Sequence, residues 1–285
     1  VTERRFSQVD VFGDGPASGN PVAVVIEAEG LSDDDMARFA RWTNLSETTF
    51  VLPPTDPGAD YRLRIFTPGG ELPFAGHPTL GSAHAWRESG VLPRRDDSAG
   101  GDIVQECGIG LVTVRYDDAT GRYAFAAPPL TRSGPADDET LDRVRAAMGL
   151  RRSDVEAAEW VSNGPPWLAL LLTDGQRVLD VRPDMGALGP DDFVGLVGPW
   201  RERSGPHYEV RGFVPGMGVP EDPVTGSLNA GIAVWLRGAG LAPSSYVAAQ
   251  GTVLGRTGRV HIHDDGDTIW VGGACATVID GTVDL

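Results

Sequence analysis

Lysine is missing: all 24 basic residues of the 285 are arginine. No side-chain amine can therefore form a Schiff base or reach phosphates from a P-loop. Pyridoxal enzymes, lysine-dependent aldolases and lysine P-loop enzymes are excluded. Cysteine is scarce, with only Cys107 and Cys275, each in a Gly-rich apolar stretch outside any Cys-x-x-Cys or Cys/His cluster. Such thiols read as small buried hydrophobes. Long apolar runs are lacking as well: the longest, Trp167 to Leu172, is far short of the roughly 20 residues a membrane-spanning helix needs, and Val1-Thr-Glu-Arg-Arg-Phe6 has no apolar signal core. Positive charge is outweighed, 24 basic against 40 acidic side chains for a net −16, and the Arg-Arg pairs at 4–5, 94–95 and 151–152 are too isolated to form a basic stripe. A soluble cytoplasmic protein with neither nucleic-acid nor membrane partners is expected.

What is present, 41% apolar residues with 38 Gly and 22 Pro, suits an ordinary globular chain, and at about 150 residues per domain the length implies two domains. Val9 to Phe12, Val22 to Ile26, Thr49 to Leu52 and Tyr61 to Phe66 have strand composition between Gly, Pro or Asp boundaries. Ser32 caps a helix whose apolar face is Met36, Phe39, Ala40 and Thr43, with Asp33 to Asp35 at its positive end. A second amphipathic helix, with Leu141, Val144 and Met148 on one face and Gly149 as its stop, follows the Pro-rich segment Ala126 to Pro135. The domains are accordingly 1–130 and 131–285, with the last strand, about 278–285, a candidate to return to the first.

The chain also repeats itself. Phe66-Thr-Pro68-Gly69 matches Phe213-Val-Pro215-Gly216, and Pro73 matches Pro220, at an offset of 147; after a three-residue insertion Gly76, His77, Gly81, Ala83 and Gly90 match Gly226, Ser227, Gly231, Ala233 and Gly240 at 150. The helices predicted at about 77–88 and 227–237 have almost no polar face and must be buried on all sides, which requires a wall of strands. The expected fold class is α+β: two similar domains, each a curled, barrel-like, mostly antiparallel sheet around a central helix, with the helix starts facing one another across a cleft.

Helix starts present unpaired N–H groups and partial positive charge, so Gly76-His77 and Gly226-Ser227 would receive a carboxylate. The segments leading in carry Glu71, Glu221 and Asp222, and Glu47 lies in the loop before a strand. Each has two readings. Glu47 is a solvated turn residue or a functional carboxylate; Asp222, before Pro, is an Asx turn or a site residue; His77 is a structural donor or an acid/base; Ser227 caps or binds. His84 reads as core, and His261-x-His263 has no third metal ligand near it.

At these positions the sequence resembles the PhzF-like isomerases of phenazine biosynthesis. The matching motifs are Asn44-Leu-Ser-Glu-Thr-Thr-Phe-Val-Leu52, Arg64-Ile-Phe-Thr-Pro68, Glu71-Leu-Pro-Phe-Ala-Gly-His-Pro78 and Glu221-Asp-Pro-Val-Thr-Gly-Ser227, together with Gly19-Asn-Pro-Val-Ala-Val24 and Gln250-Gly251. The resemblance implies the diaminopimelate-epimerase-like fold, a homodimer, and a site without cofactor or metal that acts on a small carboxylate, trans-2,3-dihydro-3-hydroxyanthranilate in the best-understood branch. It casts Glu47 as the proton-moving residue, with His77, Asp222 and Ser227 as further catalytic positions and the Gly76 and Gly226 amides as carboxylate holders. Related epimerases place a cysteine at each helix start; here those places hold His77 and Ser227, which disfavours a two-thiol racemase. An amino-acid racemase or epimerase and a non-catalytic carboxylate binder are the alternatives.

Overall fold

The computed structural model describes residues 2–90, 102–202, 204–217 and 220–285; the Arg94–Arg95 pair lies outside them. The chain divides into two compact units, Val1–Ala126 with Gly272–Leu285, and Ala127–Val271. The first holds β1 (Glu3–Val11), β2 (Asn20–Val25), α1 (Asp33–Thr43), β3 (Glu47–Leu52), β4 (Tyr61–Thr67), β5 (Gly70–Leu72), α2 (Gly76–Glu88), β6 (Ile103–Cys107), β7 (Gly110–Asp117) and β8 (Arg122–Ala126). The second holds β9 (Arg132–Pro135), α3 (Asp138–Ala147), β10 (Val155–Ser162), β11 (Trp167–Leu172), α4 (Gly175–Asp180), β12 (Phe193–Pro199), β13 (Tyr208–Phe213), β14 (Glu221–Asp222), α5 (Gly226–Gly238), β15 (Ser245–Gln250) and β16 (Gly258–Asp264). The last strand, β17 (Ile269–Asp284), begins in the second unit and belongs to the first from Gly272, where the sequence put the boundary near 130 and a return near 278.

In the first unit the ladder runs β17–β1–β2–β3–β4–β6–β7–β8 and back to β17, a closed eight-stranded barrel, antiparallel except for β2/β3 and β4/β6. Helix α2 touches β1 to β4 and β6 to β8, so it fills the barrel, as its lack of a polar face demands. In the second unit β9 to β13, β15 and β16 follow one another in the ladder, with parallel pairs again at β11/β12 and β13/β15, and α5 packs on β10, β11 and β16. Small residues let each central helix approach its wall. A Cβ on Gly81 would stand 2.4 Å from Val22 Cγ1, and one on Gly231 would stand 2.3 Å from the Val161 carbonyl oxygen. Both helices are followed by a glycine with positive φ, Gly90 at 82° and Gly240 at 69°, conformations that favour glycine at a helix stop.

Strand register makes the repeat exact and corrects one of its matches. Phe66 pairs with Glu71 across β4/β5, and Phe213 pairs with Glu221 across β13/β14. The insertion therefore lies in the turn after Gly216, and the partner of Pro73 is Pro223 rather than Pro220. The two hairpins are also braced alike. Arg64 clasps Glu71 through Nε and Nη2 (2.7 and 2.6 Å) and lies over Phe66; Arg211 clasps Glu221 through the same atoms (2.8 and 2.8 Å) and lies over Phe213. Glu71 and Glu221, noted as ionisable groups beside the helix starts, are thus structural anions.

Candidate active site

Three helices are capped by their own sequence: Ser32 forms a capping box with Asp35 at α1, Asp137 accepts from Thr140 N at α3, and Asp174 accepts from Arg177 N at α4. The two central helices are not, since neither Ala75 nor Thr225 caps with its side chain. At α2 the first intrahelical donor is Thr79 N, to the Ala75 carbonyl, and Pro78 has no N–H; this leaves the amides of Gly76 and His77 without helical partners. At α5 the first is Asn229 N, to the Thr225 carbonyl, leaving Gly226, Ser227 and Leu228. Both starts can receive an anion, α5 with more donors.

Glu47 opens β3 and His77 stands in the first turn of α2, within one unit. His77 Nε2 lies 3.3 Å from Glu47 Oε2, with the side chains 6% and 14% exposed. The ring donates to the Pro21 carbonyl, and because Nε2 makes no hydrogen bond, Nδ1 is the donor. Burial pushes the imidazole down to about 3, so at neutral pH it is uncharged and Nε2 presents a lone pair to Glu47. Two lone pairs facing one another repel; a carboxyl proton placed between them satisfies both atoms. A neutral His77 can therefore accept a hydrogen bond from Glu47 whenever Glu47 carries a proton.

A neutral buried His77 also makes stability pH-dependent. The unfolded imidazole takes up its proton near pH 6.5 and the folded one only near 3, so the unfolded state binds more protons in that interval. Stability is expected to fall as pH drops from about 6.5 toward 3, by on the order of a few kcal/mol at about 1.4 kcal/mol per unit. Urea unfolding of the wild type and His77→Gln between pH 4 and 8 checks this: the variant should show the shallower loss, and identical slopes would refute it.

Ser227 occupies the equivalent place on α5. Its Oγ accepts from Trp167 Nε1 at 3.0 Å and its carbonyl from Asn163 Nδ2 at 2.9 Å. Since the indole only donates, the serine proton is directed elsewhere. Register also identifies the counterpart of Glu47. Glu47 pairs with Val22 and precedes Thr48, which pairs with Phe66; Phe193 pairs with Trp167 and precedes Val194, which pairs with Phe213. Phe193, stacked edge-on against Trp167, therefore stands where the first unit has its carboxylate.

Asp222 ends β14, and its Oδ2 accepts from Thr225 Oγ1 at 2.6 Å. The surrounding Thr225, Asn229 and Gln250 were not singled out as site residues; Gln250 is visible in sequence only as part of a shared motif. His84 bonds Thr277 Oγ1 at 3.0 Å, about two turns along α2 from its start. Cys107 and Cys275 lie on β6 and β17 and are half-buried rather than fully buried. Desolvation pushes both thiols up, against nucleophilic or acid/base use near neutrality. Among the described residues no group of three or more His, Cys, Asp or Glu side chains could hold a metal, and no helix is long and apolar enough to cross a membrane.

The chain is similar to known proteins over nearly its whole length. The chain is 36% identical to the fission-yeast protein named antisense-enhancing sequence 1 over 99% of each chain, and 34% identical to the trans-2,3-dihydro-3-hydroxyanthranilate isomerase of Pseudomonas aeruginosa over 92% and 91%. A predicted epimerase of Pseudomonas aeruginosa superposes with a TM-score of 0.78 at 28% identity, covering 99% of both chains. A hydroxyproline epimerase from Agrobacterium vitis, at 14% identity and a TM-score of 0.58 over 99% of this chain and 93% of that one, shares the fold alone. The family model described as phenazine biosynthesis-like protein matches residues 9–281, so the half-chain repeat, the strand-walled central helix and the motifs around Glu47, His77 and Asp222 all fall within the match, and the chain belongs to that PhzF-like family.

Proposed function

We propose that this isomerase moves a proton between two carbons of a small cyclic amino-acid or carboxylate substrate such as trans-2,3-dihydro-3-hydroxyanthranilate, with Glu47 as the single proton carrier. The observation that carries the reading is Glu47 Oε2 lying 3.3 Å from the Nε2 of a buried, neutral His77, with Phe193 and Ser227 at the matching places of the repeated half. An epimerase that inverts a carbon with two opposed bases carries them at matching places of the two halves; here Glu47 and His77 answer to Phe193 and Ser227, neither of which is a base near neutral pH. One carboxylate that removes a proton and returns it to another carbon gives isomerisation. His77, too weakly basic to take the proton itself, orients the ionised Glu47 and accepts a hydrogen bond from its carboxyl while Glu47 carries the proton from one carbon to the other. The resemblance assigns the amides of Gly76 and Gly226 to the substrate carboxylate, and Asp222 and Ser227 to further catalytic positions; Ser227 keeps its own proton to donate, because Trp167 donates to its Oγ. The named isomerase relatives support the substrate class. A homodimer is the assembly that the resemblance implies.

The test is the ultraviolet time course of trans-2,3-dihydro-3-hydroxyanthranilate with the wild type, run in parallel with amino acids in deuterated water. Loss of the substrate chromophore is expected. Deuterium entering the α-carbon of an amino acid with loss of optical purity would assign a racemase instead, and saturable binding without turnover of any ligand would overturn an enzymatic role.

A further inference from the structure

We propose that Thr225, itself oriented by Gln250, is a positioning residue that holds Asp222 as a carboxylate with Oδ2 committed to accepting a hydrogen bond; this rests on the reading that Asp222 belongs to the active site. The direction of every proton in this cluster is determined. Gln250 Oε1 accepts from Thr225 N at 3.0 Å and from Asn229 Nδ2 at 2.8 Å, while Gln250 Nε2 donates to the Asp222 carbonyl at 3.1 Å and to Thr225 Oγ1 at 2.9 Å. A backbone N–H can only donate and a backbone carbonyl can only accept, so the glutamine amide cannot be turned over. Asn229 is fixed in the same way by its 2.9 Å bond to the Thr225 carbonyl. Thr225 Oγ1 accepts from Gln250 and donates its own proton to Asp222 Oδ2, 2.6 Å away. Protonating that oxygen would set two protons against each other, so the cluster favours the ionised acid.

The repeat separates a functional chain from a structural one. Register and offset place Leu72, Ala75 and Cys107 where the second unit has Asp222, Thr225 and Gln250. In the first unit the buried glutamine, Gln105, sits two residues earlier on its strand, donates to Thr79 Oγ1 and accepts from Tyr61 OH. A requirement of the fold would appear in both halves; this hydrogen-bond chain occurs only in the half that carries Asp222. Of the charged neighbours, Glu221 is clasped by Arg211, and Arg256 stands on the loop that passes Pro223.

Thr225→Val keeps the shape and removes the hydroxyl, and Thr225→Ser restores it. The first readout needs no substrate: carbon NMR of the Asp222 carboxyl, assigned with Asp222→Asn, across a pH titration. Its midpoint is expected to rise by about one unit or more in Thr225→Val and to return in Thr225→Ser, the size expected for losing one hydrogen bond to a charged group. The second readout is turnover: kcat/KM should fall about tenfold in Thr225→Val, with its acid limb moved to higher pH, and recover with serine. An Asp222 titration unmoved by Thr225→Val overturns the proposal, and so does a moved titration with unchanged turnover in an active enzyme. Wild type inactive on every carboxylate tried would instead defeat the functional reading, leaving the titration to decide the hydrogen-bond chain.

Discussion

Glu47→Gln is expected to lower kcat by about 10²- to 10⁴-fold, the span typical of removing a positioned acid/base, while leaving the fold and ligand affinity nearly intact. The glutamine amide fills the same volume and can donate to the His77 Nε2 lone pair 3.3 Å away, so the barrel loses no packing and the imidazole keeps its partner. What the amide cannot do is take a proton from carbon. A two-base enzyme would retain some exchange at one carbon; a single carrier leaves none. The ultraviolet assay, with circular dichroism and ligand titration on the same preparation, decides it. Full activity in the folded variant would remove Glu47 from the mechanism, and loss of fold would reassign it to structure.

Removing one anion from each of the two hairpin braces should have unequal effects, because the repeated ion pairs differ in burial. Arg211 and Glu221 are 3% and 11% exposed, and Arg211 Nη1 is also tied to the carbonyls of Val178 and Val181 at the end of α4 (3.2 and 2.8 Å). Glu221→Gln leaves a guanidinium charge buried and unbalanced, which costs about 3–5 kcal/mol. Arg64 and Glu71 are 21% and 41% exposed, and Arg64 keeps Asp33 at 2.6 Å, so Glu71→Gln should cost below about 1 kcal/mol. Urea unfolding midpoints of the two variants, compared at equal slope, make the test. Equal losses would show that burial does not set the strength of these pairs. Because β14 carries Asp222 beside Glu221, Glu221→Gln should also impair turnover, whereas Glu71→Gln should affect it little.

Much of this was legible in the sequence because local chemistry and periodicity announce themselves. Ser32 with Asp35, the apolar face of α1, the glycines after the two central helices and the absence of a polar face on those helices all follow from the order of residue types. The two half-chains are visible as a self-match, but Pro220 and Pro223 offer the same letter, and only the ladder shows which of them answers to Pro73.

Residue order alone determined the absence of lysine chemistry, the duplicated plan and the helix starts at Gly76 and Gly226; that neither start is capped by a side chain emerged from the structure. Tertiary structure decided which ionisable groups are spent. Glu71, Glu221 and Asp222 look alike along the chain, yet two are neutralised by arginines on the adjacent strand and one is set by a threonine and a glutamine, a choice made by hairpin register and burial rather than by residue type. It also decided that His77 is neutral, since burial inside a closed barrel is a property of the surrounding wall. That Phe193 answers to Glu47 required register: equivalence across a sheet depends on which backbones bond to which, and no spacing rule in a single chain encodes that.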